Sequence, residues 1–380
     1  MFKKKKILMA GISKELFYTL QLIQSFLPYE KFDIYVYDHL SKNIENEFKR
    51  VYGIFNSNLA ICDEVKFISF NEIDKNSHVI VCSDAFRTHL LDLFKEFSNV
   101  ENWRQFVVNS GRNIDKYIIP RVDIALTQRC TLNCTFCNMY VPHVKKPVDI
   151  DVELIISDID KLFQQDRYVG LIHLVGGEPF LFKGIAEVIK KCNYYKKAGK
   201  LSDIWITTNG AVKYNKNDLN AALEAKARIF VTDYSSSVSK VAKLTKTNIN
   251  LLTTVFKDKI LVNEEKEWID FGHPNIVYET DETKLHDHFK KCTVPYRGLR
   301  NGRFYYCNLS IAAEEAGFPQ DIETCSISLD ETTNEDIIKY DLGNIGQKYL
   351  SLCKSCAGCN TGVGKIVSPS SQGLRQENLL

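Results

Sequence analysis

The segment CTLNCTFC, residues 130–137, sets three thiols, Cys130, Cys134 and Cys137, on one short loop with gaps of three and two residues. As thiolates they are metal ligands. Three can hold three irons of a [4Fe–4S] cube, whereas ordinary cubes are held by four. An iron left without a protein thiolate can bind a further ligand. Zinc is the competing reading, since paired cysteines also bind it. A structural zinc site prefers a second local pair, and the nearest downstream cysteine, Cys192, stands alone.

The chain has 12 cysteines among 380 residues, well below the roughly 8–10% of disulfide scaffolds. Beyond the first three they group as Cys292 and Cys307, then Cys353, Cys356 and Cys359. Grouping without an export signal points to metal. Cys62, Cys82, Cys192 and Cys325 are isolated and read as small buried apolar residues. The start, MFKKKKILMAGI, has a basic run and then an apolar one, but the apolar run ends at Gly11, Ser13, Lys14 and Glu15 with no small-residue cleavage site. No segment approaches the roughly 18 apolar residues of a membrane helix. A net charge of +2 offers no bulk attraction to nucleic acid or membrane. The expectation is a cytoplasmic protein with neither partner.

These thiols must be positioned by regular elements. The first 110 residues alternate strand and helix: KILMAG, LFYTLQLIQSFL with Leu16, Leu20, Ile23 and Leu27 on one face, DIYVYD, VKFISF, HVIVCS and RTHLLDLFKEF. This argues for a parallel α/β sheet. Gly11 and Asp38 sit where a dinucleotide fold would use them, but GISKEL has one glycine where G-x-G-x-x-G needs three, so a structural or docking module is expected. From Pro120 the pattern restarts. VDIALT leads into the cysteine loop. A helix over 151–163 follows, with Asp151 as N-cap and Ile155, Ile159, Leu162 and Phe163 on one face. LIHLV ends at GGEP, DIWITT ends at Asn209-Gly210, RIFVTD follows, and LLTTVF (251–256) reads as a fifth strand. Five βα-like steps are too few for an eight-fold barrel and suit an open, partial one. In parallel α/β folds active sites lie at the C-terminal strand ends, where the cysteine loop, GGEP and Asn209 all fall. After about residue 260 the pattern becomes irregular, with Asn301-Gly302 as a hairpin turn. SPSSQGLRQENLL reads as a flexible tail.

C-x3-C-x2-C directly after a first strand, with Phe136 before the last cysteine, GGEP at the end of the second strand and TTNG at the end of the third, resembles the radical S-adenosylmethionine (SAM) superfamily over about residues 120–260. The resemblance implies a partial (β/α)6 barrel and a [4Fe–4S] cluster whose open iron is chelated by SAM. It implies reductive cleavage of SAM to a 5′-deoxyadenosyl radical that abstracts hydrogen from carbon, with an external donor of flavodoxin or ferredoxin type. Phe136, Gly176, Gly177, Glu178 and Pro179 are then expected at the SAM site, the glycines admitting the methionine part and Glu178 meeting its ammonium. Asn209, Thr232 and Asp233 are candidates for adenine or ribose contact. A plain turn at GGEP and satisfied polar groups at strand ends are the bland alternatives. The implied domains are a Rossmann-like module (1–118), a radical SAM core (119–285), a cysteine-rich region (286–362) and a tail (363–380).

Cys292-x9-Gly302-x4-Cys307, followed by Cys353-x2-Cys356-x2-Cys359, resembles the auxiliary-cluster extension of SPASM/twitch type in its short form. One further [4Fe–4S] cluster on Cys292, Cys307, Cys353 and Cys356 is implied, with Cys359 replacing one ligand or staying free. Zinc is again the alternative. The substrate class expected is a small polyol or sugar, free or nucleotide-linked, undergoing dehydrogenation or epimerisation, with Cys325 or Cys192 as hydrogen donor in the latter. A peptide-modifying maturase and a non-enzymatic iron–sulfur or zinc regulator are the rival readings.

Overall fold

The computed structural model describes residues 4–55, 59–85, 87–294 and 296–373. The chain divides into two compact units, Met1–Pro120 and Arg121–Leu380.

The first unit is built from β1 (Lys5–Ala10), α1 (Lys14–Phe26), β2 (Phe32–Tyr37), α2 (Ile44–Phe55), β3 (Lys66–Phe67), β4 (His78–Val81), α3 (Arg87–Leu93), β5 (Asn99–Asn102) and α4 (Trp103–Arg112). The sheet order is β3-β2-β1-β4-β5 with parallel pairs throughout, the order of a nucleotide-binding α/β half. Central β1 buries Ile7, Leu8, Met9 and Ala10 completely or nearly so, as a strand covered on both faces must. Ser13 caps α1 by accepting from the Glu15 amide at 3.1 Å. Leu16, Leu20, Ile23 and Leu27 are all buried, as their spacing requires. VKFISF yields only the two-residue edge strand β3.

The second unit begins within β6 (Tyr117–Ala125) and continues through α5 (Val152–Leu162), β7 (Arg167–Val175), α6 (Ile185–Lys197), β8 (Leu201–Thr208), α7 (Lys216–Glu224), β9 (Arg228–Thr232), α8 (Ser239–Phe256), β10 (Ile260–Asn263), β11 (Trp268–Ile269), α9 (Glu282–Lys291), β12 (Gly298–Arg300), β13 (Arg303–Tyr305), α10 (Asn308–Glu315), α11 (Ile322–Cys325), β14 (Ser326–Ser328), α12 (Asn334–Asp341) and β15 (Ile366–Val367). One sheet runs β10-β9-β8-β7-β6-β12-β13-β14. Pairs β7–β8, β8–β9, β9–β10 and β6–β12 are parallel, and the pairs of β13 with β12 and β14 are antiparallel. The fold is mixed α/β. The cysteine-rich region therefore does not form a sheet of its own; its strands extend the sheet of the core.

Two expectations are corrected. LLTTVF is the last part of α8, and the fifth strand is ILVN, residues 260–263. Thr245, Asn248, Leu252 and Phe256 are the buried positions of α8, spaced by three or four residues, so the β-branched and aromatic content of the short window is overridden by helical periodicity. The segment after residue 363 is not a free tail up to Gly373. Ile366 and Val367 pair antiparallel with Ile269 and Trp268, and Gln372 bridges to Cys134. Residues 374–380 lie outside the described ones.

Arg297, in the turn before β12, is fully enclosed and ties three segments. Its Nε donates to Asp341 Oδ1 at 2.8 Å, one Nη to Asp341 O at 2.7 Å, and the other to Val294 O and Tyr306 O at 3.1 and 2.9 Å. Both partners are buried, Arg297 at 3% exposure and Asp341 at 0%. Removing one charge leaves the other uncompensated, which costs about 3–5 kcal/mol. Asp341→Ala is expected to lower unfolding free energy by that amount in a denaturant titration, far more than exposed Lys339→Ala.

Candidate active site

A cavity of about 530 Å³ opens among the C-terminal ends of β6 to β9, within the second unit. Such a volume is ordinary for a small-molecule site, about 300–1,000 Å³. Cys130, Cys134 and Cys137 border it together with Phe136, Gly176, Gly177, Asn209 and Thr232. Of the residues expected here, Glu178, Pro179 and Asp233 are not on its wall.

The cysteine loop is held from beneath by GGEP. The amides of Gly177 and Glu178 donate to the carbonyls of Thr127 and Arg129, each at 2.8 Å. A Cβ on Gly176, whose φ is +142°, would stand 2.6 Å from Thr127 O, and one on Gly177 would stand 2.2 Å from Arg129 O. The glycines thus admit the cysteine loop itself. Glu178 is 0% exposed and faces inward. Its Oε1 accepts from Thr208 Oγ1 at 2.9 Å and from the Phe180 amide at 3.2 Å, and its Oε2 accepts from the Asn209 amide at 2.8 Å. Burial pushes its pKa up to about 7 against the pull of those three donors. The carboxylate of Glu178 joins the ends of β7 and β8 and does not border the cavity. Asp233 is likewise occupied, accepting from the Ser235 amide at 2.8 Å.

Asn209 borders the cavity but also serves the loop. Its Nδ2 donates to Cys130 Sγ at 3.4 Å and lies 3.1 Å from Thr131 Oγ1. The Leu132 amide also points at Cys130 Sγ, at 3.5 Å, and Gln372 Nε2 points at Cys134 Sγ, at 3.4 Å. N–H donors converging on sulfur suit thiolates that carry negative charge as cluster ligands. Among the described residues no three His, Cys, Asp or Glu side chains are grouped for a single metal ion; the three thiols instead border a cavity.

Another part of the cavity wall is polar, and sequence reading missed it. Arg121 donates through Nε and Nη2 to Asp123 at 2.7 and 3.0 Å, and through Nη2 to His173 Nδ1 at 2.6 Å. Because a guanidinium only donates, His173 Nδ1 accepts, and Nε2 carries the proton and faces Thr207 Oγ1 at 2.7 Å. Asp123 is buried; burial alone would raise its pKa, but the Arg121 guanidinium beside it holds it below the usual value. Asn308 is also buried on this wall, and its Oδ1 has no hydrogen-bond partner among the described residues. The strand alternation of VDIALT and LIHLV was the available signal: a charged residue at an otherwise apolar position of an interior strand.

Cys292, Cys307, Cys353, Cys356 and Cys359 surround a second, small cavity of about 30 Å³. The amide of Cys359 donates to Cys292 Sγ and that of Gly358 to Cys356 Sγ, both at 3.3 Å. Cys359 borders the large cavity too. Cys192 and Cys325 are 0% exposed and border neither. Both expectations of a hydrogen donor there are corrected: each is a packed thiol, Cys192 on the inner face of α6 and Cys325 beside Ser351 Oγ at 3.3 Å. In the first unit, Asp38 accepts from the amides of Ile12 and Leu40. The start of α1, where a phosphate would sit in a dinucleotide fold, holds Glu15 bonded to Ser13 Oγ at 2.7 Å.

Residues 124–249 match the family model of the Radical SAM superfamily. That match covers about a third of the chain and implies a [4Fe–4S] cluster and SAM as cofactors of this segment. Its curated relatives include the GTP 3',8-cyclase of Aquifex aeolicus (strain VF5), 32% identical over 135 residues, 34% of this chain and 39% of the relative. Another is the probable GTP 3',8-cyclase of Methanothermobacter thermautotrophicus, 35% identical over 91 residues, 23% of this chain and 27% of the relative. The chain thus matches well under half the length of these proteins. Among solved structures, BtrN in complex with AdoMet and 2-DOIA aligns at a TM-score of 0.41 and 18% identity, covering 62% of this chain and 92% of that one. Native anSMEcpe with bound AdoMet aligns at 0.36 and 13%, covering 62% and 89%. No helix among the described residues is long and apolar enough to cross a membrane.

Because a Gly177 Cβ has no room against the backbone of Arg129, Gly177→Ala is expected to displace the cysteine loop. Iron bound after anaerobic reconstitution should fall by about one iron–sulfur cluster per chain, whereas Gly53→Ala, which meets nothing within 4 Å, should retain it.

Proposed function

We propose that this chain abstracts hydrogen from a carbon of a small polyol or sugar, free or nucleotide-linked, giving dehydrogenation or epimerisation. The observation that carries the reading is the Arg121–Asp123–His173–Thr207 array with Asn308 on the wall of a cavity that also holds the cysteine triad. When bound, the cluster and SAM supply the hydrogen-abstracting 5′-deoxyadenosyl radical. The protein's own part is to bind and orient. Arg121, braced by Asp123 and His173, sets a positive charge on the wall, Asn308 Oδ1 accepts from a hydroxyl, and the exposed carboxylates of Glu265 and Glu267 border the same space. A hydroxylated ligand satisfies the buried Asn308 oxygen, whereas an apolar one would leave that acceptor unpaired at about 1–3 kcal/mol. The name of the cyclase relatives supports the nucleotide-linked form, since GTP carries a ribose.

The test is isotopic. Protein reconstituted anaerobically with SAM and dithionite should release 5′-deoxyadenosine, and Cys134→Ala should reduce that release to background. With candidate polyols and nucleotide sugars deuterated at carbon, deuterium should enter the 5′-deoxyadenosine. Arg121→Gln should lower that transfer about 10–100-fold, the worth of a charged hydrogen bond, while leaving uncoupled cleavage of SAM unchanged. Transfer from peptides but from no carbohydrate would sink the substrate reading. Solvent deuterium in the product would mark epimerisation, with Cys359, the thiol outside the triad that borders the large cavity, as donor.

We also infer an auxiliary closed [4Fe–4S] cluster on Cys292, Cys307, Cys353 and Cys356, which suits the oxidising electron transfer of a dehydrogenation. Support comes from the shared small cavity and the amide donors facing Cys292 and Cys356. Iron analysis should give about eight irons per chain, and about four in Cys307→Ala. Four irons in the unmodified protein, with zinc making up the difference, would overturn it.

A further inference from the structure

Residues 365–373 are tied to the second unit along their length. After Cys359 the chain returns as β15 against β11, whose Trp268 and Ile269 border the large cavity, and then runs onto the cysteine loop. There the Thr135 amide donates to Ser371 O at 2.7 Å and the Gly373 amide to Asn133 O at 2.8 Å. Ser370 is buried, and its hydroxyl pairs with Ser237 Oγ at 2.6 Å. Cys134 and Gln372 face each other in an antiparallel bridge. The Gln372 amide is oriented at both ends. Oε1 accepts from the Asn133 amide at 2.9 Å, and Nε2 donates to Ser370 O at 2.7 Å and to Cys134 Sγ at 3.4 Å.

We propose that Gln372 is a positioning residue for the radical SAM cluster: the segment 368–373 straps the cysteine loop in place, and the Gln372 N–H, aimed at the Cys134 sulfur, favours the reduced cluster. A ligating thiolate carries partial negative charge, and reduction adds more. A donor dipole pointing at the sulfur stabilises the reduced state more than the oxidised one, so it raises the reduction potential. The side chain cannot turn over without cost. A flipped amide would set Oε1 against the sulfur and Ser370 O and Nε2 against the Asn133 N–H, three repulsive contacts in place of three attractive ones. Asn209 and the Leu132 amide already serve Cys130 in this way; the strap does the same for Cys134 from the far end of the chain. The inference depends on the cluster at the triad and is independent of the substrate.

Two substitutions separate orientation from mere presence. Gln372→Glu keeps an oxygen to accept from Asn133 but sets a carboxylate oxygen where the N–H was. Gln372→Ala removes all three side-chain contacts. The SAM-responsive electron paramagnetic resonance signal identifies this cluster and can be followed in a redox titration. The midpoint should fall in both variants, further in Gln372→Glu. Iron release to a chelator should quicken about tenfold or more in Gln372→Ala, the usual weight of an outer contact to a metal ligand, with an unchanged circular dichroism spectrum. A folded Gln372→Ala protein that loads iron fully, with wild-type midpoint and wild-type release rate, overturns the proposal whatever Gln372→Glu does. A folded Gln372→Ala protein that fails to retain the cluster supports it.

Discussion

The carboxylate of Glu178 joins the ends of β7 and β8 beside the cysteine loop. It is wholly buried, and its two oxygens collect the Phe180 amide, the Thr208 hydroxyl and the Asn209 amide. The same residue's amide holds Arg129 O at the root of the cysteine loop. Asn209, fixed by its backbone to Glu178, then reaches Cys130 Sγ with its side chain. A chain of contacts thus runs from the end of β7, through the end of β8, to the first thiol. The links made by Glu178 are removed from water, where a hydrogen bond is electrostatically stronger than at the surface and an unpaired group is costly.

Around this core the second unit is organised by polar groups inside an otherwise apolar sheet. Arg121, Asp123 and His173 project into the cavity from β6 and β7, and their mutual contacts hold the arginine and imidazole in fixed orientation. Arg297 does the corresponding work beside the second cysteine set, gathering Val294, Tyr306 and Asp341. Buried charges of this kind contribute little net stability when paired and cost heavily when broken. Their worth lies in fixing one arrangement of the loops that carry thiols.

Much of this was legible in the chain. The alternation of strand and helix, the N-cap Asp151, and the hairpin turn at Asn301-Gly302 all follow from local chemistry, and the structure has them. The failures have physical causes too. LLTTVF looks like a strand in a six-residue window, but the buried row Thr245, Asn248, Leu252, Phe256 extends well before it. SPSSQG looks like an unpartnered tail because its small polar residues bury little apolar surface. It is held by backbone pairing to residues some 240 positions away, which composition does not encode.

The sequence by itself determined the chemistry available: three thiols at one strand end, glycines that let backbone approach backbone, and a second cysteine set with its own turn. Those depend on residue type and short spacing, and short spacing survives folding unchanged. Only the tertiary structure decided what each neighbour serves. It turned Glu178 away from the cavity and into the joint between strands, because its amide and carboxylate are both claimed by adjacent loops. It set Arg121 and His173 on the cavity wall and left Cys192 and Cys325 inside the packing. It brought Gln372 to Cys134, since an antiparallel bridge across the chain can form only once the β11–β15 pairing has delivered that segment to the cysteine loop.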